Sequence, residues 1–341
     1  MAAEWSGGTQ RPRLAATASR VRGARTALAS PRGVVGLLIV VTAIAVVFSR
    51  VATGYAFQLM DTVWYYAMLT LGLNLVMGYA GQFDFGHTTF FAAGAYVGAL
   101  LMMAAPGVDF LIIMAVACLF AGLVAAVLAI PVFRFRGDYV ALVTFGFALI
   151  AQSIVLNLDV TGGPNGLPGI PVAHLGPFQL DNNEAYYFLG FVLTAVFSLV
   201  IWYLMRLRAG RAILAIREDE LAAATLGVDP WRAKVLAFVV AGAFAGVAGA
   251  YAAGLFSFIG PEQFGLDQAI LLAEMVLVGG LGSIAGSIAG AAVFVAISSV
   301  LVVFVPAVGG HTDFLLGVLM LAVILLRPQG LFGKPFVRRR T

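Results

Sequence analysis

The chain has 341 residues, of which 62% are hydrophobic and 11% charged, and its net charge is +4. A soluble domain carries about 25% charged residues because its surface faces water. This composition, with a mean hydropathy of +1.00, excludes a water-soluble fold and calls for apolar surroundings. At about 20 apolar residues per crossing of a roughly 30 Å hydrocarbon core, it matches about ten spans.

Residues 1–32 are polar and basic, with arginines from Arg11 to Arg32. The apolar run Gly33 to Ser49 follows directly. It exceeds the usual h-region of about 7–15 residues, and Ser49-Arg50-Val51 is a poor cleavage site, so a retained signal-anchor is expected. Further apolar runs cover 58–78, 88–105, 110–131, 139–157, 186–205, 235–258, 268–283, 284–305 and 312–326. The breaks carry turn residues, among them Gly78 to Gly86, Pro106-Gly107, Thr161 to Pro171, Pro261 and Gly279 to Ser283. The 268–305 stretch also fits one span plus a re-entrant piece.

Cationic residues concentrate on cytoplasmic loops of membrane proteins. Here they cluster in the N-terminal tail, at 134–136, at 206–234 and at 327–340, with Arg50 alone elsewhere. Counted from a cytoplasmic N-terminus, every cluster falls inside and only Arg50 outside. The loop 158–185 has no Lys or Arg but carries Asp159, Asp181 and Glu184. The expectation is an all-α polytopic membrane protein of about ten transmembrane helices with both termini cytoplasmic. It comprises a basic tail over 1–32, a membrane domain over 33–326 and a basic tail over 327–341. Topology accounts for the cations, so nucleic acid is not called for. Cys118 is single and His87, His174 and His311 are far apart, so no metal-ligand spacing is present.

The most informative hydrophilic stretch is 206–234, RLRAGRAILAIREDELAAATLGVDPWRAK. Glu218, Asp219 and Glu220 favour a helix start, Ala222 to Ala224 continue it, and Gly227 is placed to end it. A short charged helix on an inner loop suits docking into a partner's groove; a solvated loop obeying topology fits the spacing equally. A second feature is Asn74, inside an apolar helix, followed by Asp84 and His87 at a glycine-rich break. Broken helices at membrane depth line a cavity or lie under protein, so Asn74 and Asp84 are candidates for a path. The span count favours the alternative that Asp84 is hydrated at the inner interface.

Arg134 to Tyr139 reads as a tight turn, a charge anchor with a local Arg–Asp pair. Thr161, Gly162, Gly163, Pro164, Asn165 and Gly166 form a defined turn in the longest outer loop. It either receives a ligand or delivery protein or merely links spans. Glu274, an acid well inside a late span, is expected to face the bundle interior and joins the path candidates. Gly279 to Ser283 with Gly286 and Gly290 read as a small-residue packing face. No phosphate-binding glycine loop, GxSxG elbow or paired-carboxylate site occurs, so no enzymatic activity is expected.

Four stretches resemble one family: LGLNLVMGYAGQFDFGHTTFFAAGAYVGALL (71–101), FRFRGDYVALVTFGFALIAQSIVLNLDVTGGPNGLPGI (133–170), GRAILAIREDELAAATLGVDPWRAKVLAFVVAGAFAGVAGAYAA (210–253), and EMVLVGGLGSIAGSIAGAAV (274–293) with LLRPQGLFG (325–333). The family is the LivM-type permease subunits of ABC importers for branched-chain amino acids. The RGDY and TGGPNG pairing and the REDE loop carry the likeness; residues 1–32 lie outside it, and His87 stands where a Tyr is more familiar.

The resemblance implies a permease bundle in the bacterial inner membrane, surrounded by lipid. It implies a second related permease as heterodimer partner, two ABC ATPases and an extracytoplasmic binding protein. ATP and Mg would be used by the ATPases, with no cofactor bound by this chain. Carried over by position, Arg217, Glu218, Asp219, Glu220, Ala223 and Gly227 belong to the ATPase-docking segment, and 161–166 to the binding-protein face. The expected function is import of branched-chain amino acids by alternating access. The rivals are a permease for urea or short amides and, from another class, an autonomous secondary transporter.

Charge reversal at Glu218, Asp219 and Glu220 together should impair ATPase docking while membrane insertion persists. Unchanged recovery of the complex and unchanged uptake would count against the assignment.

Overall fold

The protein is described by a computed structural model over residues 54–135, 137, 139–304, 312–327 and 330–332. The chain divides into two compact units, 1–55 and 56–341. The expected signal-anchor at 33–49, the N-terminal tail, most of the C-terminal tail, and Arg136 and Asp138 of the tight turn lie outside the described residues. Apart from Gly54 and Tyr55, the described residues all belong to the second unit.

Eleven helices α1 to α11 are described in chain order, apart from short 3-10 and π turns. They are α1 (Gly54–Asn74), α2 (His87–Ala104), α3 (Phe110–Val132), α4 (Tyr139–Asn157), α5 (Asn183–Leu204), α6 (Arg208–Glu218), α7 (Glu220–Thr225), α8 (Pro230–Phe256), α9 (Leu266–Gly279), α10 (Ile284–Phe304) and α11 (Thr312–Leu326). Each apolar run expected from 58 onward corresponds to one helix. Among the described residues, five helices are long and apolar enough to cross a membrane: α2, α3, α4, α5 and α8. Five of the expected ten spans are thus matched by such helices among the described residues. α1 carries Gln58, Asp61 and Asn74, and α9 has 14 residues. At 1.5 Å per residue α9 extends about 21 Å, short of the roughly 30 Å core.

α8 forms the centre because small residues line its contacts with α2 and α3. Gly94 and Gly98 of α2 meet Gly246, Gly249 and Ala250 of α8, while Ala117, Ala121 and Ala125 of α3 meet Gly242 and Gly246. A Cβ on Gly94 would fall against the Gly246 backbone, and one on Gly246 would stand 2.5 Å from the Ala117 carbonyl oxygen. Lipid tails are as apolar as the side chains, so helix association here rests on close packing rather than on water exclusion. The late glycines behave similarly. Gly279 lies against Gly286 and Gly290, as expected of a packing face, and Gly330 lies against Leu277 and Gly280. The chain after α11 is tied there by Leu331 N–H to the Val278 carbonyl (2.8 Å) and Phe332 N–H to the Gly279 carbonyl (2.9 Å).

α1 ends in a π-turn over Leu75–Tyr79, where Ala80 N–H reaches back to the Leu75 carbonyl (3.1 Å). The helix then breaks until His87. At the opposite end of the unit, Ser257 takes a left-handed conformation (φ 52°) and stops α8. A two-residue strand β4 (Phe258–Ile259) and a 3-10 turn (Pro261–Phe264) carry the chain inward, with the Phe264 ring 4.7 Å from that of Phe91.

The loop after α4 pairs with this segment. Its strand β1 (Leu167–Pro168) is antiparallel to β4, Leu167 opposite Ile259. A hairpin, β2 (His174–Leu175) with β3 (Phe178–Gln179), is pinned by Asp109, which accepts from Gly176 N (2.7 Å) and caps α3 through Leu111 N (2.8 Å).

Replacing Gly94 or Gly246 by Val should force α2, α3 and α8 apart. A loss of about 1–3 kcal/mol is expected from overpacking, seen as a lower thermal midpoint in detergent. An unchanged midpoint would show that the helices can separate freely.

Candidate functional site

The hydrophilic 206–234 segment folds as two helices rather than the single short one expected. Gly210, Ile213 and Ile216 of α6 are buried, three residues apart on one helical face, which leaves Arg208 and Arg211 outward. Asp219 is extended (φ −163°, ψ 108°) and its carboxylate accepts from Ala222 N (2.9 Å), so it caps α7. Glu218 ends α6 and Glu220 opens α7.

Gly227, left-handed at φ 84°, ends α7 as expected, with Gly227 N–H on the Ala224 carbonyl (3.0 Å) and Val228 N–H on the Ala223 carbonyl (3.1 Å). Ala223 is buried beneath the turn, while Leu221 and Leu226 are 74% and 85% exposed. Asp229 then caps α8, with Pro230 in its first turn.

Two side chains join this hairpin to the bundle. Lys234, 3% exposed near the start of α8, pairs with Glu220 at 2.7 Å and lies 6.0 Å from the Phe133 ring centre. Arg217, at the end of α6, reaches the two glycine breaks. A Cβ on Gly81 would stand 3.1 Å from its Cγ, and one on Gly282 would stand 2.8 Å from its guanidinium Nη1. The left-handed φ of Gly81 (71°) and Gly282 (72°) already requires glycine, and the same absence of a side chain lets Arg217 lie over both.

The three path candidates are not brought together. Asn74 is fully engaged as a clasp: Nδ2 donates to the Ser283 carbonyl (3.0 Å) and Ser287 Oγ (2.7 Å), and Oδ1 accepts from Gly282 N (2.9 Å). It ties α1 to the turn before α10. Gly78 has no room for a Cβ between Asn74 Oδ1 and Gly282 N.

Asp84 is 1% exposed, which corrects the expectation of a hydrated interfacial carboxylate. Its Oδ1 accepts from Gly86 N (2.8 Å), beside Thr144 of α4, whose hydroxyl accepts from Phe85 N (3.1 Å). At Asp84 and Gly86 the break folds under α4, whereas Gly81 and Phe83 stay exposed. Glu274 is buried in α9 on the side of α11; a Cβ on Gly317 would be 3.9 Å from its Oε1.

At the other end, Thr161 to Gly166 form two successive 3-10 turns. Thr161 Oγ is 2.6 Å from the Val155 carbonyl, Gly162, Gly163 and Gly166 are left-handed, and only Pro164 and Asn165 are exposed. Gly166 packs on the Ile259 backbone without room for a Cβ. The turn is therefore part of a rigid cap presenting a two-residue tip.

One functional candidate is absent from the residues that the sequence singles out. Asp61 of α1 is 0% exposed, and among the described residues neither carboxylate oxygen has a hydrogen-bond partner. The available signal was a carboxylate inside an apolar run, the same signal that marks Glu274. Among the described residues, no group of three or more His, Cys, Asp or Glu could hold a metal ion.

A helical bundle with span-length helices, broken helices at two glycine sites and a charged hairpin at one end defines a multi-pass membrane permease. The chain belongs to the family described as branched-chain amino acid transport system / permease component, whose model matches residues 55–324. It is similar to the high-affinity branched-chain amino acid transport system permease protein LivM of Escherichia coli K12, with 36% identity over 290 residues, 78% of this chain and 67% of LivM. The LivH permease of Salmonella typhimurium is 24% identical over 293 residues, 80% of this chain and 93% of LivH. The autoinducer 2 import system permease protein LsrC of an Enterobacter is 32% identical over 175 residues, 49% of each chain. No solved structure matches.

The hairpin geometry sharpens the charge-reversal experiment, since reversing all three acids also removes the α7 cap and the partner of Lys234. Glu220→Lys alone should lower stability by about 1–3 kcal/mol, because it leaves a buried ammonium beside a like charge. The Glu220→Lys, Lys234→Glu double variant should recover part of that loss in thermal unfolding. Equal stability of single variant and parent would show that the pair contributes nothing.

Proposed function

We propose that this chain is a membrane-spanning subunit of an ATP-driven importer of branched-chain, hydrophobic amino acids in a bacterial inner membrane. It would work with a second related permease, two ABC ATPases that use ATP and Mg, and an extracytoplasmic binding protein. In this reading the chain crosses the membrane about ten times, with 1–32, 206–234 and 327–341 in the cytoplasm. The identity to LivM across most of the chain supports the substrate class. That LsrC, which its name assigns to autoinducer 2 import, matches half the chain makes uptake assays the arbiter of substrate.

The observation that carries the coupling is the position of Arg217. It stands between an exposed hairpin bearing Leu221 and Leu226 and the two glycine breaks at Gly81 and Gly282. A partner ATPase gripping α7 would seat those leucines in a groove. When ATP draws the ATPases together, the hairpin moves. Lys234–Glu220 passes that motion to the central helix α8, and Arg217 passes it to the breaks. Both breaks are linked through Asn74, so α1 and the α9–α10 turn shift as one, and the bundle changes between outward-open and inward-open populations. The Pro164-Asn165 tip, with its rigid glycine turns, would meet the binding protein on the outer face.

Reconstitution of the co-purified complex in liposomes tests this. ATP-dependent uptake of leucine, isoleucine or valine with the binding protein is expected. Activity of the chain alone without ATP would sink the proposal. Arg217→Ala should lower uptake roughly 5–150-fold, the usual range of coupling energies, while the ATPases stay bound and hydrolyse ATP. Parallel loss of ATPase binding would instead make Arg217 part of the docking contact.

A further inference from the structure

Asp61 lies two turns into α1, at the end of the unit away from the α6–α7 hairpin. A carboxylate buried without any hydrogen bond is costly, since an ion moved out of water needs a compensating charge or donor. The described cations cannot supply it. Arg208, Arg211 and Arg217 lie in α6, Arg232 and Lys234 in the first turns of α8, and Arg134, Arg206 and Arg327 just past α3, α5 and α11, all at the hairpin end.

The surroundings of Asp61 are aromatic. Phe57 and Trp64, one turn before and after it on the same helical face, both meet the Tyr187 ring of α5, at 5.6 and 6.1 Å between centroids. Tyr187 therefore roofs the stretch of α1 that carries Asp61, and Trp64 also meets Phe191 at 5.7 Å. The Trp64 Nε1 is buried without a partner among the described residues as well. Tyr251 of α8 borders the same stretch, since a Cβ on Gly190 of α5 would stand 2.7 Å from its hydroxyl and 2.8 Å from Trp64 Cβ, and its hydroxyl donates to the Tyr186 carbonyl (3.0 Å).

We propose that Asp61, with Phe57, Trp64, Tyr187 and Tyr251, forms a transient site for the primary ammonium group of a hydrophobic amino acid entering the path. The carboxylate supplies the counter-charge, ring faces favour a cation, and the apolar ring edges accept an aliphatic side chain. The unpartnered Trp64 Nε1, one helical turn on from Asp61, offers a donor to the carboxylate of a zwitterion. The site rests on the proposed import function and adds to it the group that the path recognises.

The test uses the complete complex in liposomes, with leucine delivered by its binding protein, and compares parent, Asp61→Asn and Asp61→Glu. The expected result is a fall of at least 10-fold in maximal uptake for Asp61→Asn, with partial recovery in Asp61→Glu. The thermal midpoint of Asp61→Asn should not fall, because the substitution removes an uncompensated buried charge, and the half-saturating binding-protein concentration should stay unchanged. Tritiated leucine should bind the parent complex, stalled with ATPase-inactive partners, at least 10-fold better than the Asp61→Asn complex. Excess 4-methylpentanoate, which lacks the ammonium, should not displace it.

Equal uptake by parent and Asp61→Asn, or displacement by 4-methylpentanoate, would overturn the site while leaving the import function intact. Absence of leucine uptake by the parent would remove both. Arg50→Gln serves as a control for a partner within the chain. If it and Asp61→Asn lower the thermal midpoint equally and non-additively, Asp61 is half of a structural ion pair and the site falls.

Discussion

Three helices meet through backbone rather than through side chains, and the rest of the unit is arranged around that contact. Gly94 and Gly98 on α2 and Gly242, Gly246 and Gly249 on α8 bring no Cβ to the contact, and the alanines of α3 bring nothing larger than a methyl group. In hydrocarbon no water is released when helices touch, so attraction comes from the many short van der Waals contacts that such proximity allows. The arrangement is unforgiving, because a single added carbon meets main chain that cannot rotate away. It also frees the larger aromatic side chains to fill the ends, where Phe264, Phe91 and Tyr96 pack at one side and Phe133 and Phe238 at the other.

A rigid centre leaves flexibility to be placed elsewhere, and the two glycine breaks are where the helical hydrogen-bond ladder is interrupted. They are not independent. Asn74 carries the hydrogen bonds from one to the other, and Arg217 overlies both from the hairpin. A push on α6 therefore reaches, through the Arg217 side chain packed against both, two points where backbone can yield. The polar side chains so used are spent on structure. Asn74, a plausible path residue on sequence grounds, has both amide donors committed and none left for a substrate.

Charge is divided between the ends of the unit. The described cations gather at the hairpin end, where solvent and Glu220 or Asp229 screen them. The opposite end keeps a carboxylate among rings, with no described cation beside it. This polarity gives the two ends different chemistry: one fit for a protein partner, the other for a small cation.

Membrane character, the position of each apolar helix from residue 58 onward, the charged 206–234 segment and the stop at Gly227 were legible in the sequence, whereas the segment's folding as two helices was not. Each depends on local composition, spacing or backbone freedom, which a linear chain carries by itself. What Asn74, Asp84 and Asp61 do was not legible. Asn74 finds its partners some two hundred residues away, Asp84 is covered by a helix that follows much later, and Asp61 is distinguished by what fails to reach it. The sequence by itself determined which segments are apolar and where the chain must turn. Only the tertiary structure decided which polar groups are satisfied, because hydrogen bonds and desolvation depend on neighbours that the order of residues does not specify.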